Sequence, residues 1–280
     1  LSILCDKAVW KKAGSLFFRI FTQSLFFQSF WAIVFLFFAF TCMAYRLNQR
    51  ELAFPAPHCA DVNGLLAVGG DLSEARLRLA YAEGIFPWYS RFEPILWWSP
   101  DPRFVILPSN FKFAKSLRPH IRKQPYQVTV NRAFKSVIHN CKTRYRPGQQ
   151  GTWITDEMEA AYLNLHQKGF AHSVEVWQGE RLVGGLYGEI LGKCFFGESM
   201  FALEPNASKI GFVVFVKNLL RYDWKLIDCQ VYTEHLATFG ATHISRNEFI
   251  QRLKKTQKED TFEINALIRT FNQDPDFILS

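Results

Sequence analysis

Acidic residues are missing altogether from residues 102–155, a stretch that holds 11 lysines and arginines. The rest of the chain carries 22 basic and 25 acidic residues, so this one segment exceeds the whole formal charge of +8. A basic excess confined to one segment points to a surface for a polyanion, and a solvated basic face is the plainer alternative. Paired cysteines are missing too. Cys5, Cys42, Cys59, Cys141, Cys194 and Cys229 form no CxxC and have no His pair at zinc spacing. Scattered single thiols exclude a disulfide scaffold and fit a reducing compartment. No HExxH, EF-hand loop or Walker A sequence occurs, so neither a metal nor a cofactor is expected. Ser199 lacks a GxSxG elbow, and His166, His172 and His235 have no carboxylate at a telling spacing. No nucleophile–base pair emerges.

What is present is a chain of 280 residues, 49% hydrophobic, with ample material for a core. That excludes a disordered tail or a collagen-like rod. The aromatics are unevenly placed: residues 1–42 hold 10 of the 28 Phe. Leu25 to Ala44 is nearly all apolar, about the length of a membrane span, behind Lys7, Lys11, Lys12 and Arg19. The chain opens on Leu1, and the Phe-rich composition stops abruptly at Met43. Residues 1–42 are therefore expected to be a non-native upstream extension, with a membrane anchor as the competing reading.

From Phe54 to Arg103 the sequence is rich in turns and aromatics, with one helix expected from Ser73 to a Gly84 stop. Residues 43–103 read as a small, irregular N-terminal domain and residues 104–280 as a second domain. There, Thr155 N-caps a helix that carries Met158, Ala161, Tyr162 and Leu165 on one face. A meander follows, with strands at Ala171–Trp177, Arg181–Ile190 and Cys194–Phe201. Asn206 or Ser208 opens a helix to about Arg221, a strand spans Lys225–Val231, and Ser245 with Glu248 is a capping box. Helix, antiparallel meander, helix, strand, helix is an α+β pattern.

Two carboxylates stand out. Asp228 lies in an apolar strand, and a side chain two residues on shares its face, which places Gln230 beside it. An acid and an amide on a core strand need partners, as a site or as a satisfied structural pair. Glu198 sits among aromatics and Met in Phe195-Phe196-Gly197-Glu198-Ser199-Met200-Phe201, beside a glycine that permits close backbone approach.

These segments resemble the leucyl/phenylalanyl-tRNA–protein transferase family. The resemblance is carried in order by Gly64–Leu72, Gly84-Ile85-Phe86-Pro87-Trp88, Pro94–Arg103, Gly151-Thr152-Trp153-Ile154-Thr155, His172–Trp177, Leu182–Gly188, Phe196–Phe201, Ala207-Ser208-Lys209 and Leu226–Gln230. It covers about residues 43 to 250. It implies transfer of Leu, Phe or sometimes Met from aminoacyl-tRNA to the α-amine of a protein beginning with Arg or Lys, marking that protein for degradation in the cytoplasm. It also implies a GNAT-like C-terminal domain and no metal or cofactor. By the same resemblance Asp228 orients Gln230, Gln230 contacts the attacking amine, and Glu198 positions the cationic acceptor. Trp88 and Trp153 line the pocket for the aminoacyl-adenosine, with Tyr81, Phe195, Met200, Phe215 and Ile227 as its walls. The acid-free segment, through Lys112, Lys115, Arg118, Arg122, Lys123 and Arg132, becomes the tRNA footprint. A coenzyme A-dependent acetyltransferase would need an R/Q-x-x-G-x-G/A turn, and the nearest match, Arg181–Leu186, ends in Leu and reads as strand. The non-enzyme alternative is a membrane-tethered RNA-binding protein. Residue 189 is Glu and residue 211 is Gly where apolar or small helix-forming residues are expected.

Overall fold

The structure, a computed structural model, describes residues 44–122, 126–144 and 152–258, with Ala266, Ile268 and Arg269 beyond them. The segment 1–43, Lys123 and most of the C-terminal tail lie outside the described residues, as does nearly all of the apolar run that ends at Ala44. Among the described residues no helix is long and apolar enough to cross a membrane.

The N-terminal part forms a small sheet from β1 (Tyr45–Leu47), β2 (Leu65–Gly69), β3 (Phe86–Pro87) and β4 (Leu96–Trp98), in the order β1-β2-β4-β3. Its one α-helix is α1 (Glu74–Ala82), capped by the Ser73 hydroxyl, which accepts from the Arg76 amide at 3.4 Å. Gly84 ends it at φ +77°, a conformation that glycine adopts without steric cost. Arg76 is buried and donates to the Asn48 and Glu51 carbonyls at 2.9 Å, which ties the first strand to the helix.

A larger sheet comprises β5 (Arg103–Ile106), β6 (Gln127–Val130), β7 (Ala171–Gln178), β8 (Arg181–Leu191), β9 (Cys194–Ala202), β10 (Leu226–Asp228) and β11 (Thr242–Ile244). Its order is β11-β5-β10-β9-β8-β7-β6. Every neighbouring pair is antiparallel except β9 and β10, which run parallel. Around it lie α2 (Leu117–Arg122), α3 (Phe134–Thr143), α4 (Asp156–Gln167), α5 (Ala207–Arg221), α6 (Glu234–Ala237) and α7 (Arg246–Lys258). Two mixed sheets and seven helices among the described residues make a mixed α/β fold.

The two faces of the large sheet bury separate cores. On one, Tyr187, Phe196 and Phe201 pack with Tyr81 of α1, Val137 of α3, Tyr162 of α4 and Phe249 of α7. On the other, Leu186, Phe195 and Met200 pack with Phe212 and Phe215 of α5. The helix α5 is apolar on nearly every side, as a helix sunk in a core must be. Gly211 has a packing reason: a Cβ there would stand 2.5 Å from a Val176 methyl, so its absence lets α5 lie close on β7.

Candidate active site

Strand side chains alternate between faces, so residues five apart should face opposite ways. Phe196 and Phe201 nevertheless share one core, and Phe195 and Met200 share the other. The break in phase is a β-bulge. Gly188 pairs with Gly197 and Tyr187 with Ser199, leaving Glu198 as the extra residue in β9. A bulge re-aims the side chain it carries, and here that side chain is the carboxylate. Gly188 is required by the same irregularity, because a Cβ there would meet the Phe196 carbonyl oxygen at 2.0 Å.

Beside the bulge, β10 stops early. Asp228 pairs with Phe196 in the parallel register, so Glu198 lies level with residue 230, where the neighbouring strand has already ended. The strand expected over Lys225–Val231 is thus three residues long, and its last residue causes the stop. Asp228 Oδ1 accepts from the Gln230 backbone N–H at 2.9 Å, an Asx-type turn. Gln230 takes φ +63°, a left-handed conformation whose other non-glycine occupants among the described residues are Asn131, Asn206 and Asp223. Strained backbone of this kind concentrates at functional sites. Asp228 and Gln230 therefore do not share a strand face. The turn instead swings the Gln230 amide across the open end of β10, where Nε2 donates to Glu198 Oε1 at 2.7 Å.

Asp228 is fixed from behind. Arg103, the first residue of β5, donates from Nε to Oδ1 at 2.8 Å and from Nη2 to Oδ2 at 2.6 Å. Both side chains are essentially fully buried. The guanidinium lies between the rings of Phe86 and Phe249, at 4.7 and 4.5 Å from their centroids. A bidentate pair flanked by two aromatic faces is a rigid support.

Glu198 is buried and accepts two more bonds, from the Tyr81 hydroxyl at 3.0 Å and the Tyr162 hydroxyl at 3.2 Å. The two hydroxyls also touch each other at 2.7 Å. Two hydroxyl hydrogens serve three contacts, so the Tyr81–Tyr162 contact shares a hydrogen with those to the carboxylate. Burial raises the Glu198 carboxyl to about 7, against the hydrogen bonds from Tyr81, Gln230 and Tyr162 that lower it. It is poised to exchange a proton near neutrality.

A narrow pocket at this pair is lined by Phe86, Pro87, Trp88, Trp153, Glu198, Gln230 and Val231. Of the residues singled out in the sequence, Trp88, Trp153, Glu198 and Gln230 meet in this pocket, with Tyr81 and Asp228 directly behind. Phe195, Met200, Phe215 and Ile227 lie together in the core on the α5 side instead, Phe195 and Phe215 in edge contact at 4.9 Å. Lys112, Lys115, Arg118 and Arg132 are exposed. Arg122 is the last residue of α2, and Lys123 lies outside the described residues. Arg103 and Tyr162 were missed by sequence reasoning. One follows a proline turn and the other lies on an apolar helix face, and only tertiary packing brings them to Asp228 and Glu198.

A buried amide–carboxylate pair sharing a pocket with two indole rings, and no Ser, Thr, Cys or His among that pocket's lining residues, suits a transferase that orients an incoming amine rather than attacking for itself. The comparisons agree with that class. The family model for the leucyl/phenylalanyl-tRNA protein transferase matches residues 105–254, and the model of its N-terminal domain matches residues 70–101. A leucyl/phenylalanyl-tRNA–protein transferase of Anaeromyxobacter sp. (strain Fw109-5) is 58% identical over 217 residues, 78% of this chain and 92% of that one. One from Anaeromyxobacter sp. (strain K) is 55% identical over 212 residues, 76% of this chain and 91% of the relative. One from Syntrophus aciditrophicus is 54% identical over 217 residues, covering 77% and 90%. The chain belongs to the leucyl/phenylalanyl-tRNA–protein transferase family, and it is an aminoacyltransferase.

Proposed function

We propose that the enzyme takes Leu or Phe, and Met in addition, from aminoacyl-tRNA and joins it to the α-amine of proteins beginning with Arg or Lys, in the cytoplasm, marking them for degradation. The Gln230–Glu198 bond, in the pocket it shares with Trp88 and Trp153, carries this reading. The aminoacyl ester is already activated and brings its own leaving group, so the enzyme has to orient the amine and accept its proton. An α-amine titrates near 7.7–8, so an appreciable neutral fraction exists at neutral pH.

The α-ammonium gives one proton to the buried carboxylate side, and the neutral nitrogen attacks the ester carbonyl carbon. The bond to the tRNA ribose oxygen breaks as the peptide bond forms. That oxygen takes the second proton from nitrogen and leaves as a free hydroxyl. Gln230 contacts the attacking amine and Glu198 receives the cationic acceptor. Asp228 is a positioning residue. Both its oxygens are held by Arg103, so it sets the geometry of Gln230 through the backbone amide.

Trp88 and Trp153 present aromatic faces suited to the terminal adenosine and its apolar aminoacyl group. Phe195, Met200, Phe215 and Ile227 are packed in the core on the α5 side, so as walls for the aminoacyl side chain they would have to part to admit it; a charged aminoacyl group would lose hydration there without compensation. The GNAT-like reading of the larger domain is supported by the one parallel pair, β9 and β10, joined through α5, with the site at its open end. Lys112, Lys115, Arg118, Arg122, Lys123 and Arg132 are proposed to track the tRNA backbone. The test is transfer of labelled Phe or Leu from tRNA to peptides that differ only in their first residue. Arg- and Lys-initiated peptides should be labelled and an Ala-initiated one should not. Equal labelling of all three would refute the acceptor assignment.

A further inference from the structure

Glu189 of β8 is the unexpected carboxylate, and the fold buries it. It is 3% exposed, on the sheet face that carries Tyr187, Tyr81 and Tyr162. Among the described residues neither of its oxygens accepts a hydrogen bond from a conventional donor. It stands opposite Phe196 in the β8–β9 register, which makes Glu198 its diagonal neighbour on the same face.

We propose that Glu189 and Glu198 form an acid–carboxylate pair, in which Glu189 keeps the one shared proton and Glu198 stands as the anion that receives the acceptor amine. The last clause rests on the transferase reading; the pair itself does not. Two buried carboxyls side by side cannot both ionise, and the better-solvated one ionises first. Tyr81, Tyr162 and Gln230 all donate within hydrogen-bond geometry to Glu198, whereas among the described residues Glu189 has only Tyr81 and Glu198 itself close by, neither in such geometry. The proton therefore belongs on Glu189, whose O–H then has an acceptor in its neighbour. The other ionisable groups around the pair are Tyr81 from α1, Tyr162 from α4 and Tyr187 on β8. Asp228 lies beyond Glu198, already matched by Arg103. Burial first, and then the charge of Glu198, holds the Glu189 carboxyl well above the usual carboxylate range. Glu189 is thus a positioning residue that acts through Glu198.

Infrared spectroscopy reads the proton directly. At about pH 8, above the Glu198 value of about 7, wild-type protein should show the C=O stretch of a protonated buried carboxylic acid. Glu189→Gln and Glu189→Leu should both lose it. Replacing a buried carboxyl by Leu removes a desolvation cost that offsets the lost hydrogen bond, so that variant should fold about as well as wild type. The acid limb of the pH–rate profile supplies a second readout. Losing the donor should move it up by about one pH unit in Glu189→Leu, and Glu189→Gln, whose amide still donates, should restore it. A band absent from wild type, a band that survives both substitutions, or one acid limb common to all three proteins would overturn the pair. The band is recorded without tRNA or peptide. Wild-type protein with the band but no transfer would sink the transferase reading and leave the pair standing.

Discussion

Gln230 donates its side-chain amide to Glu198 Oε1 at 2.7 Å, across the gap where β10 has ended and β9 continues. That bond depends on two local irregularities, a left-handed turn after Asp228 and a bulge at Glu198, neither of which a regular sheet would hold. The features that define the site are also those that cost stability, and each can be tested separately.

The Arg103–Asp228 pair should be a stability device as well as a positioning one. Arg103→Met leaves a buried carboxylate without its partner, which should destabilise the protein by about 3–5 kcal/mol in urea unfolding. Adding Asp228→Leu should recover most of that loss, because an apolar pair of similar volume avoids the desolvation cost. Transfer should stay low in both proteins. Recovery of activity together with stability would remove Asp228 from the positioning role.

Glu198 gives stability a pH dependence of definite sign. Its folded-state carboxyl lies at about 7, raised by burial from an ordinary 4.5. Between those values the native protein holds more protons than the unfolded chain, so stability falls as pH rises through that window. Thermal unfolding from pH 5 to 8 should show the decline, and Glu198→Gln should reduce it, leaving the share of Glu189, whose carboxyl is also raised by burial. An unchanged slope would mean that Glu198 is not the titrating group.

Gly188→Ala would place a Cβ 2.0 Å from the Phe196 carbonyl oxygen. Relief must come from moving backbone at the bulge, so the change should cost more than about 2 kcal/mol and disable the site. Full stability measured in denaturant would show that the bulge is more forgiving than its geometry.

Most regular elements were legible in the sequence, for local reasons. The meander strands match to within a residue at each end because their turns carry Gly179 and Gly192 at positive φ. The capping residue Ser245 does accept from the Glu248 amide, at 3.1 Å. The elements that escaped notice have non-local causes. The entry to α3 has no capping side chain of its own, since the Arg132 and Ala133 amides are satisfied by Glu175 from β7. The strand β6 is four residues long and, among the described residues, pairs with β7 alone. The overlong strand ending at Val231 was cut short by the Asx-type turn at Asp228, which hydropathy cannot show. Trp88 and Trp153 were found through resemblance, because neither periodicity nor spacing separates a pocket indole from a core one.

The acid-free segment should set the salt dependence of tRNA binding. Lys112, Lys115, Arg118 and Arg132 are exposed, and each phosphate contact removed should reduce the log–log salt slope by about 0.7–0.9. Filter binding of the fourfold Ala variant over a salt series measures this directly. A slope equal to that of wild type would move the footprint elsewhere.

The pocket indoles should act on the donor alone. Trp88→Ala or Trp153→Ala should weaken aminoacyl-tRNA binding by about 1–3 kcal/mol, the worth of a base–aromatic stack, with acceptor-peptide KM unchanged. A matching rise in the peptide KM would place the acceptor against the indoles instead.

Single-turnover transfer of labelled Phe from tRNA to an Arg-initiated peptide, wild type against Gln230→Ala, bears most directly on the site. The substitution leaves the Asp228–Arg103 pair in place and removes only the amide that joins Glu198 to the turn. Wild type should transfer, and Gln230→Ala should be slower by about a hundredfold or more, consistent with the loss of one preorganised contact to the reacting group, at unchanged tRNA affinity. Equal rates for the two proteins, or no transfer by wild type above a control without enzyme, would contradict the account.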